Sequence, residues 1–131
     1  MVLLDTNACI RVLTNRSAAL VAQLRSREPA EICLCAVTKA ELRFGAYNSA
    51  RPAENIRLLQ LFFEPFVSIP FDDMAADQYG RIRFDLARQG KLIGGNDLLI
   101  AAIALARDLM LVTANTREFG RVTGLRFENW E

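Results

Sequence analysis

Asn96-Asp97-Leu98-Leu99-Ile100-Ala101-Ala102-Ile103-Ala104-Leu105-Ala106-Arg107, followed by Leu109-Met110-Leu111-Val112-Thr113, is the stretch whose reading decides the fold. Two polar residues head an almost wholly apolar run, 98–106, which falls short of the roughly 18 residues needed to cross a bilayer. It therefore reads as a helix buried on most of its surface, with Asn96 as the expected N-cap and Arg107 near its end. Residues 109–113 read as a strand, apolar without interruption up to Thr113, as a strand covered on both faces must be. A helix with little polar face feeding a strand with none predicts layers packed on both sides of a sheet.

Working outward, the same alternation recurs. Residues 2–4 read as a strand ending at Asp5, 7–13 as a helix, and Ser17 as the cap of a second helix running to about Arg27. Residues 31–35 form the next strand and 37–46 a helix that ends near Gly45 or beyond. Pro52 suits the first turn of a further helix, which Pro65 stops. Residues 66–69 make a third strand. In 72–89, Ala75, Tyr79, Ile82 and Leu86 recur at the helical period, and Gly90 closes that helix. Residues 126–128 suit a short last strand. The expected architecture is a three-layer α/β/α domain over residues 1–131, with a central, mostly parallel sheet of four to five strands.

Composition narrows the chemistry. The chain has 131 residues, 52% of them hydrophobic, enough for a real core. The opening Met1-Val2-Leu3-Leu4-Asp5 has no basic segment and meets an acid at once, so it does not read as a signal peptide. Cys9, Cys33 and Cys35 are odd in number and lack CxxC spacing, which favours buried free thiols and a reducing, cytoplasmic setting. The chain has no histidine. This excludes Ser-His-Asp and Cys-His schemes, histidine-ligated zinc and histidine acid–base cleavage of RNA. A net charge of +1 sets up no global basic field. Only Lys39 and Lys91 among the 16 basic residues are lysine. That balance suits phosphate contacts, and a GC-rich genome explains it equally well.

Most acids have an ordinary reading. Asp73, Asp77 and Asp85 join Arg81 at a four-residue spacing, as on a solvated, ion-paired helix face. Asp5, Glu41 and Asp97 stand apart. Asp5 ends a strand, where open α/β sheets hold their ligand crevice, although it would also cap the helix that follows. Glu41 sits among Val37, Ala40, Leu42 and Phe44, with an exposed stripe shared with Lys39 and Arg43 as the plainer reading. Asp97 stands at the head of the most apolar helix, where an anion is favoured in any case. On one rim of a sheet these three would repel by about 4 kcal/mol per pair at roughly 4 Å. Proton uptake or a divalent cation relieves this, and oxygen ligands favour Mg²⁺ or Mn²⁺ over zinc. Such an ion activates water and offsets charge on a phosphodiester, so metal-assisted phosphodiester hydrolysis fits.

Three segments also carry a family resemblance. Leu4-Asp5-Thr6-Asn7 resembles the opening motif of PIN-domain nucleases, Thr38-Lys39-Ala40-Glu41-Leu42-Arg43-Phe44-Gly45 their second, and Asn96-Asp97-Leu98-Leu99-Ile100-Ala101-Ala102 their third. All three occur in order, and the resemblance covers essentially the whole chain. It is nearest to the VapC-type toxins of bacterial toxin–antitoxin modules. Thr113-Ala114-Asn115-Thr116-Arg117-Glu118-Phe119, with Gly124-Leu125 and Glu128-Asn129-Trp130, resembles the branch that cuts the anticodon loop of initiator tRNA. The resemblance implies a Mg²⁺- or Mn²⁺-dependent ribonuclease acting on single-stranded or loop RNA, a homodimer, and a cognate VapB-type antitoxin that blocks the site. It implies catalytic and metal roles for Asp5, Glu41 and Asp97, with Thr6 and Asn7 in support. One departure stands out. Many PIN domains place a fourth acid, an aspartate, where this chain has Asn115. Glu118 is the candidate replacement and Thr113 and Asn115 are supporting residues, while a merely solvated Glu118 is the competing reading.

Other classes fit less well. A haloacid-dehalogenase-like phosphatase needs an aspartate where Asn7 stands. A structure-specific DNA nuclease carries extra helical elements for which this chain has no room. A catalytically silent PIN-like RNA-binding or protein-interaction module is the remaining alternative, and the presence of all three core acids argues against it.

Overall fold

Neighbouring residues of each strand go to opposite faces of one sheet, and each face has its own core. The computed structural model describes residues 1–131. Its strands are β1 (Val2–Leu4), β2 (Ile32–Cys35), β3 (Val67–Ile69), β4 (Met110–Val112) and β5 (Phe127–Glu128). Val2, Leu4, Ile32, Leu34 and Val112 face one core, whereas Leu3, Cys33, Cys35, Ile69 and Leu111 face the other. This period-two split explains why the three central strands, β1, β2 and β4, carry no polar alternation: both faces are covered.

The helices divide between the two faces. Helices α1 (Thr6–Leu13), α2 (Ala18–Arg25), α3 (Ala36–Tyr47) and α4 (Pro52–Phe63) supply the first core. Helices α5 (Asp73–Arg88), α6 (Gly95–Ala106) and the short α7 (Thr116–Phe119) supply the second. All strand pairings are parallel, in the order β3-β2-β1-β4-β5. The chain moves outward from β1 through β2 to β3, then crosses back to lay β4 on the other side of β1. The order therefore reverses between β1 and β4, where such sheets open a crevice beyond their carboxyl ends. Asp5 follows β1 and Thr113 follows β4, so both stand at that point.

Local signals explain most boundaries. Ser17 caps α2 by accepting from Leu20 N at 3.2 Å, and Pro52 occupies the first turn of α4. Asp72 caps α5 rather than joining it, accepting from Ala75 N at 3.0 Å. Gly90 ends α5 at φ 67, a left-handed conformation that suits glycine. Cys9, Cys33 and Cys35 are buried and free. No helix is long and apolar enough to cross a membrane.

Three expectations need correction. Asn96 does not cap α6. Gly94 takes that position without a side-chain bond, and Asn96 and Asp97 fall within the first turn. Helix α2 stops at Arg25, with Ser26 as its C-cap, and a single 3-10 turn at Pro29–Glu31 leads into β2. The acidic spacing on α5 yields one ion pair, Arg81–Asp85 at 3.9 Å, while Asp73 and Asp77 remain solvated and unpaired.

Candidate active site

Asp5 is 3% exposed, the most buried carboxylate in the protein. Its Oδ1 accepts from Ala8 N at 2.8 Å, so the capping role is real. Burial pushes the carboxyl above its usual range, against the Thr113 hydroxyl and the Ala8 amide that hydrogen-bond it, and Glu41 adds to the upward push. Capping and membership of an acidic pocket are thus compatible properties of one side chain.

Glu41 is reached from the first motif. The Thr6 hydroxyl donates to Glu41 Oε1 at 2.7 Å. Thr38 Oγ1 lies 3.1 Å from Thr6 Oγ1, and Cys35 Sγ donates to Thr38 Oγ1 at 3.6 Å. A hydroxyl has one proton to give, and Thr6 gives its own to a carboxylate that can only accept. Thr38 must then donate to Thr6, which makes an ordered chain Cys35–Thr38–Thr6–Glu41. The basic stripe expected beside Glu41 is absent. Lys39 Nζ lies 5.1 Å and Arg43 Cζ 5.3 Å from the centre of the Phe63 ring, so both cations are turned toward α4.

Asp97 completes the cluster from the opposite face of the sheet. Its carboxyl is raised to about 6, first by burial and then by the charges of Glu118, Asp5 and Glu41, with a hydrogen bond to Glu118 adding to the effect. Four acids from four separate segments therefore share one electrostatic environment. None of the five salt bridges of the protein involves any of them.

The segment after β4 ties Glu118 in. Asn115 N donates to Thr113 Oγ1 at 2.9 Å, and Asn115 Nδ2 donates to Glu118 Oε2 at 2.8 Å. Asn115, standing where many PIN domains have an acid, orients a carboxylate one turn further on. Thr6, Thr113 and Asn115 thus hold acids in place. Asn7 is exposed in the first turn of α1 and bonds none of them. Thr38, 0% exposed, is the residue whose part went unread. Its only signal was its place at the head of the second motif.

The donor set suits a hard cation: oxygen atoms only, surplus negative charge and no compensating base. As the side chains stand, no group of three or more carboxylates is arranged to hold a metal ion directly. A cation fitting this arrangement would be held by one or two carboxylates and otherwise by water, which is how Mg²⁺ is usually bound.

Fold and site together define an α/β protein with a carboxylate pocket at the switch point of a parallel sheet. The family model for the PIN domain matches residues 2–125, and the chain belongs to that family. It is 40% identical over 128 residues to a tRNA(fMet)-specific endonuclease VapC of Shigella flexneri, covering 98% of this chain and 96% of that one. It is 38% identical over 128 residues to Ribonuclease VapC2 of Haemophilus influenzae, with the same coverage. Among solved structures, DNA-bound VapBC from Salmonella typhimurium superimposes with a TM-score of 0.93 at 34% identity, covering 100% of both chains.

Proposed function

We propose that the protein is a metal-dependent endoribonuclease toxin that cuts single-stranded or loop RNA and is restrained by a cognate VapB-type antitoxin. The observation that carries this reading is the convergence of Asp5, Glu41, Asp97 and Glu118 without a basic partner. The VapC relatives supply the substrate class, and the tRNA(fMet)-specific endonuclease among them points to initiator tRNA as the first RNA to test. The VapBC assemblies supply the partner, and we extend to this chain a homodimer working in the cytoplasm.

Mg²⁺ or Mn²⁺ would sit among Asp5, Asp97 and Glu41, bound directly by one or two of them and through water by the rest, with Glu118 beside them. The ion supplies Lewis-acid stabilisation of the phosphodiester and makes water more acidic. The protein's own contribution is placement. Ala8 N and Thr113 fix Asp5, the ordered hydroxyl chain fixes Glu41, and Asn115 fixes Glu118. The like charges that push the Asp97 carboxyl up to about 6 are the ones a bound cation would offset. The first turn of α6, which carries Asp97, leaves backbone N–H groups without helical partners at the rim, where a phosphate is favoured.

The test is cleavage of initiator tRNA and of unstructured RNA by antitoxin-free protein, with Mg²⁺, with Mn²⁺ and in excess EDTA. Cleavage with either ion and none in EDTA is expected. Cleavage that persists in EDTA removes the metal mechanism, and no cleavage under any condition favours a silent binding module.

A further inference from the structure

Beside the acidic pocket lies a hollow of about 470 Å³, lined by Val37, Ala40, Glu41 and Phe44 of α3 and by Asn96 and Leu99 of α6. Glu41 belongs to both the hollow and the pocket. Two further residues continue directly from the acids. Asn96 adjoins Asp97 in the chain, and Phe44 lies one turn beyond Glu41, about 4.5 Å along the helix axis.

The lining says what kind of group would enter. Phe44 is 69% exposed, and Asn96 is exposed with no side-chain hydrogen bond inside the protein. Lys39 and Arg43 are held over Phe63, so no cation faces the hollow, while Glu41 stands at its edge. The hollow itself offers a phosphate no cationic side chain. A flat, uncharged group with hydrogen-bonding edges would be accommodated, and in RNA such a group hangs from the ribose on either side of every bridging phosphate.

Resting on the nuclease reading above, the geometry points to a nucleobase subsite. The base flanking the cleaved phosphodiester stacks on Phe44, and the Asn96 amide reads its edge. Val37, Ala40 and Leu99 form the apolar floor. Single-stranded RNA is commonly recognised by this pairing of aromatic stacking with edge hydrogen bonds.

The experiment uses six-nucleotide homopolymers of A, C, G and U with wild type, Phe44→Ala, Phe44→Trp and Asn96→Ala. Steady-state cleavage in Mn²⁺ is one readout. Fluorescence anisotropy of the labelled oligonucleotides, in EDTA and in an Asp5→Asn background, is the second. Phe44→Ala should raise KM and weaken binding by about 10-fold, the scale of one lost base–aromatic stack, with kcat little changed. Phe44→Trp should restore both, and Asn96→Ala should flatten the preference among the four bases. Wild-type cleavage with KM and binding unaltered in Phe44→Ala overturns the subsite and leaves the nuclease reading intact. A changed sedimentation coefficient for Phe44→Ala, with KM unaltered, also overturns it, because the hollow would then be a contact between copies. Absence of cleavage and binding by the wild type overturns both readings.

Discussion

The hydroxyl of Thr6 donates to Glu41 Oε1 at 2.7 Å, joining the carboxyl end of β1 to the second turn of α3. Thr6 itself has only one proton, so its own orientation depends on the buried Thr38 behind it, 3.1 Å away. The half-buried Glu41 is thereby oriented by a partly buried threonine that is itself held by a fully buried one. Precise carboxylate placement matters because small displacements of a reacting group are expensive in rate.

Thr38→Val keeps the shape of the side chain and removes its proton. Thr6 then loses its donor, and Glu41 gains rotameric freedom. The expected result is a fall in kcat of about 10-fold, equivalent to one buried hydrogen bond, with KM nearly unchanged. Thr38→Ser should recover most of it. An equal loss in both variants, with lowered melting temperatures, would mean that Thr38 only fills space.

Asp5→Asn, Glu41→Gln and Asp97→Asn should each abolish RNA cleavage while the circular dichroism spectrum is retained. Glu118→Gln should reduce cleavage far more than Asp77→Asn, a control on the solvated face of α5. Matching small effects at residues 118 and 77 would leave Asn115–Glu118 as a structural contact alone.

Much of this arrangement could be read before any coordinates. The strands were legible because Val2, Leu4 and Leu34 on one face and Leu3, Cys33 and Cys35 on the other leave no polar alternation, which only a doubly covered sheet tolerates. The acids were legible because each stood in apolar surroundings or at a strand end. What escaped depended on contacts between distant segments. Thr38 resembles any helical threonine until Cys35 and Thr6 are brought to it. Gly94 displaced Asn96 as the cap of α6 through backbone geometry, without a side-chain bond to signal it. Asp5 was both a cap and a member of the pocket, two readings that sequence reasoning had treated as rivals.

The chain's end supplies a separate stability test. Trp130 is 7% exposed, packs in the α1–α4 core and carries the Arg27 guanidinium 4.5 Å from its ring centre. Trp130→Ala should destabilise by about 3 to 5 kcal/mol, the range for deleting a buried aromatic. Arg27→Ala should lose roughly 0.5 to 2 kcal/mol, the scale of a cation–π contact. Urea unfolding of both variants measures this, and equal midpoints for wild type and Trp130→Ala would show that the tail is not part of the cooperative core.

The acidic pocket also predicts its own pH dependence without any substrate. The Asp97 carboxyl is raised to about 6 in the folded protein by burial and by Glu118, Asp5 and Glu41. An unfolded aspartate titrates near its ordinary value of about 3.9, so between those two values the folded state binds more protons than the unfolded one. The Asp97 contribution to stability therefore falls as pH rises from about 4 to about 6 and is level above that, whereas Asp72, held low by the Ala75 amide and Arg107, acts in the opposite direction. Asp5 is displaced in the same direction as Asp97 and adds to its trend. Asp97→Asn removes the charge while keeping the shape, so in EDTA at neutral pH it should be more stable than wild type. A gain on the order of 1 kcal/mol is expected, well under the full shift because the half-exposed carboxyl is screened by water and salt. The gain should shrink as pH is lowered through 6 toward 4. Mn²⁺ should stabilise the wild type by binding the folded state and should stabilise Asp97→Asn much less. Were Asp97 simply a favourable anion in the first turn of α6, its loss would instead destabilise by about 0.3 to 1 kcal/mol. A mutant equal to or less stable than wild type in EDTA, and equally responsive to Mn²⁺, would show that these carboxylates do not act as one site.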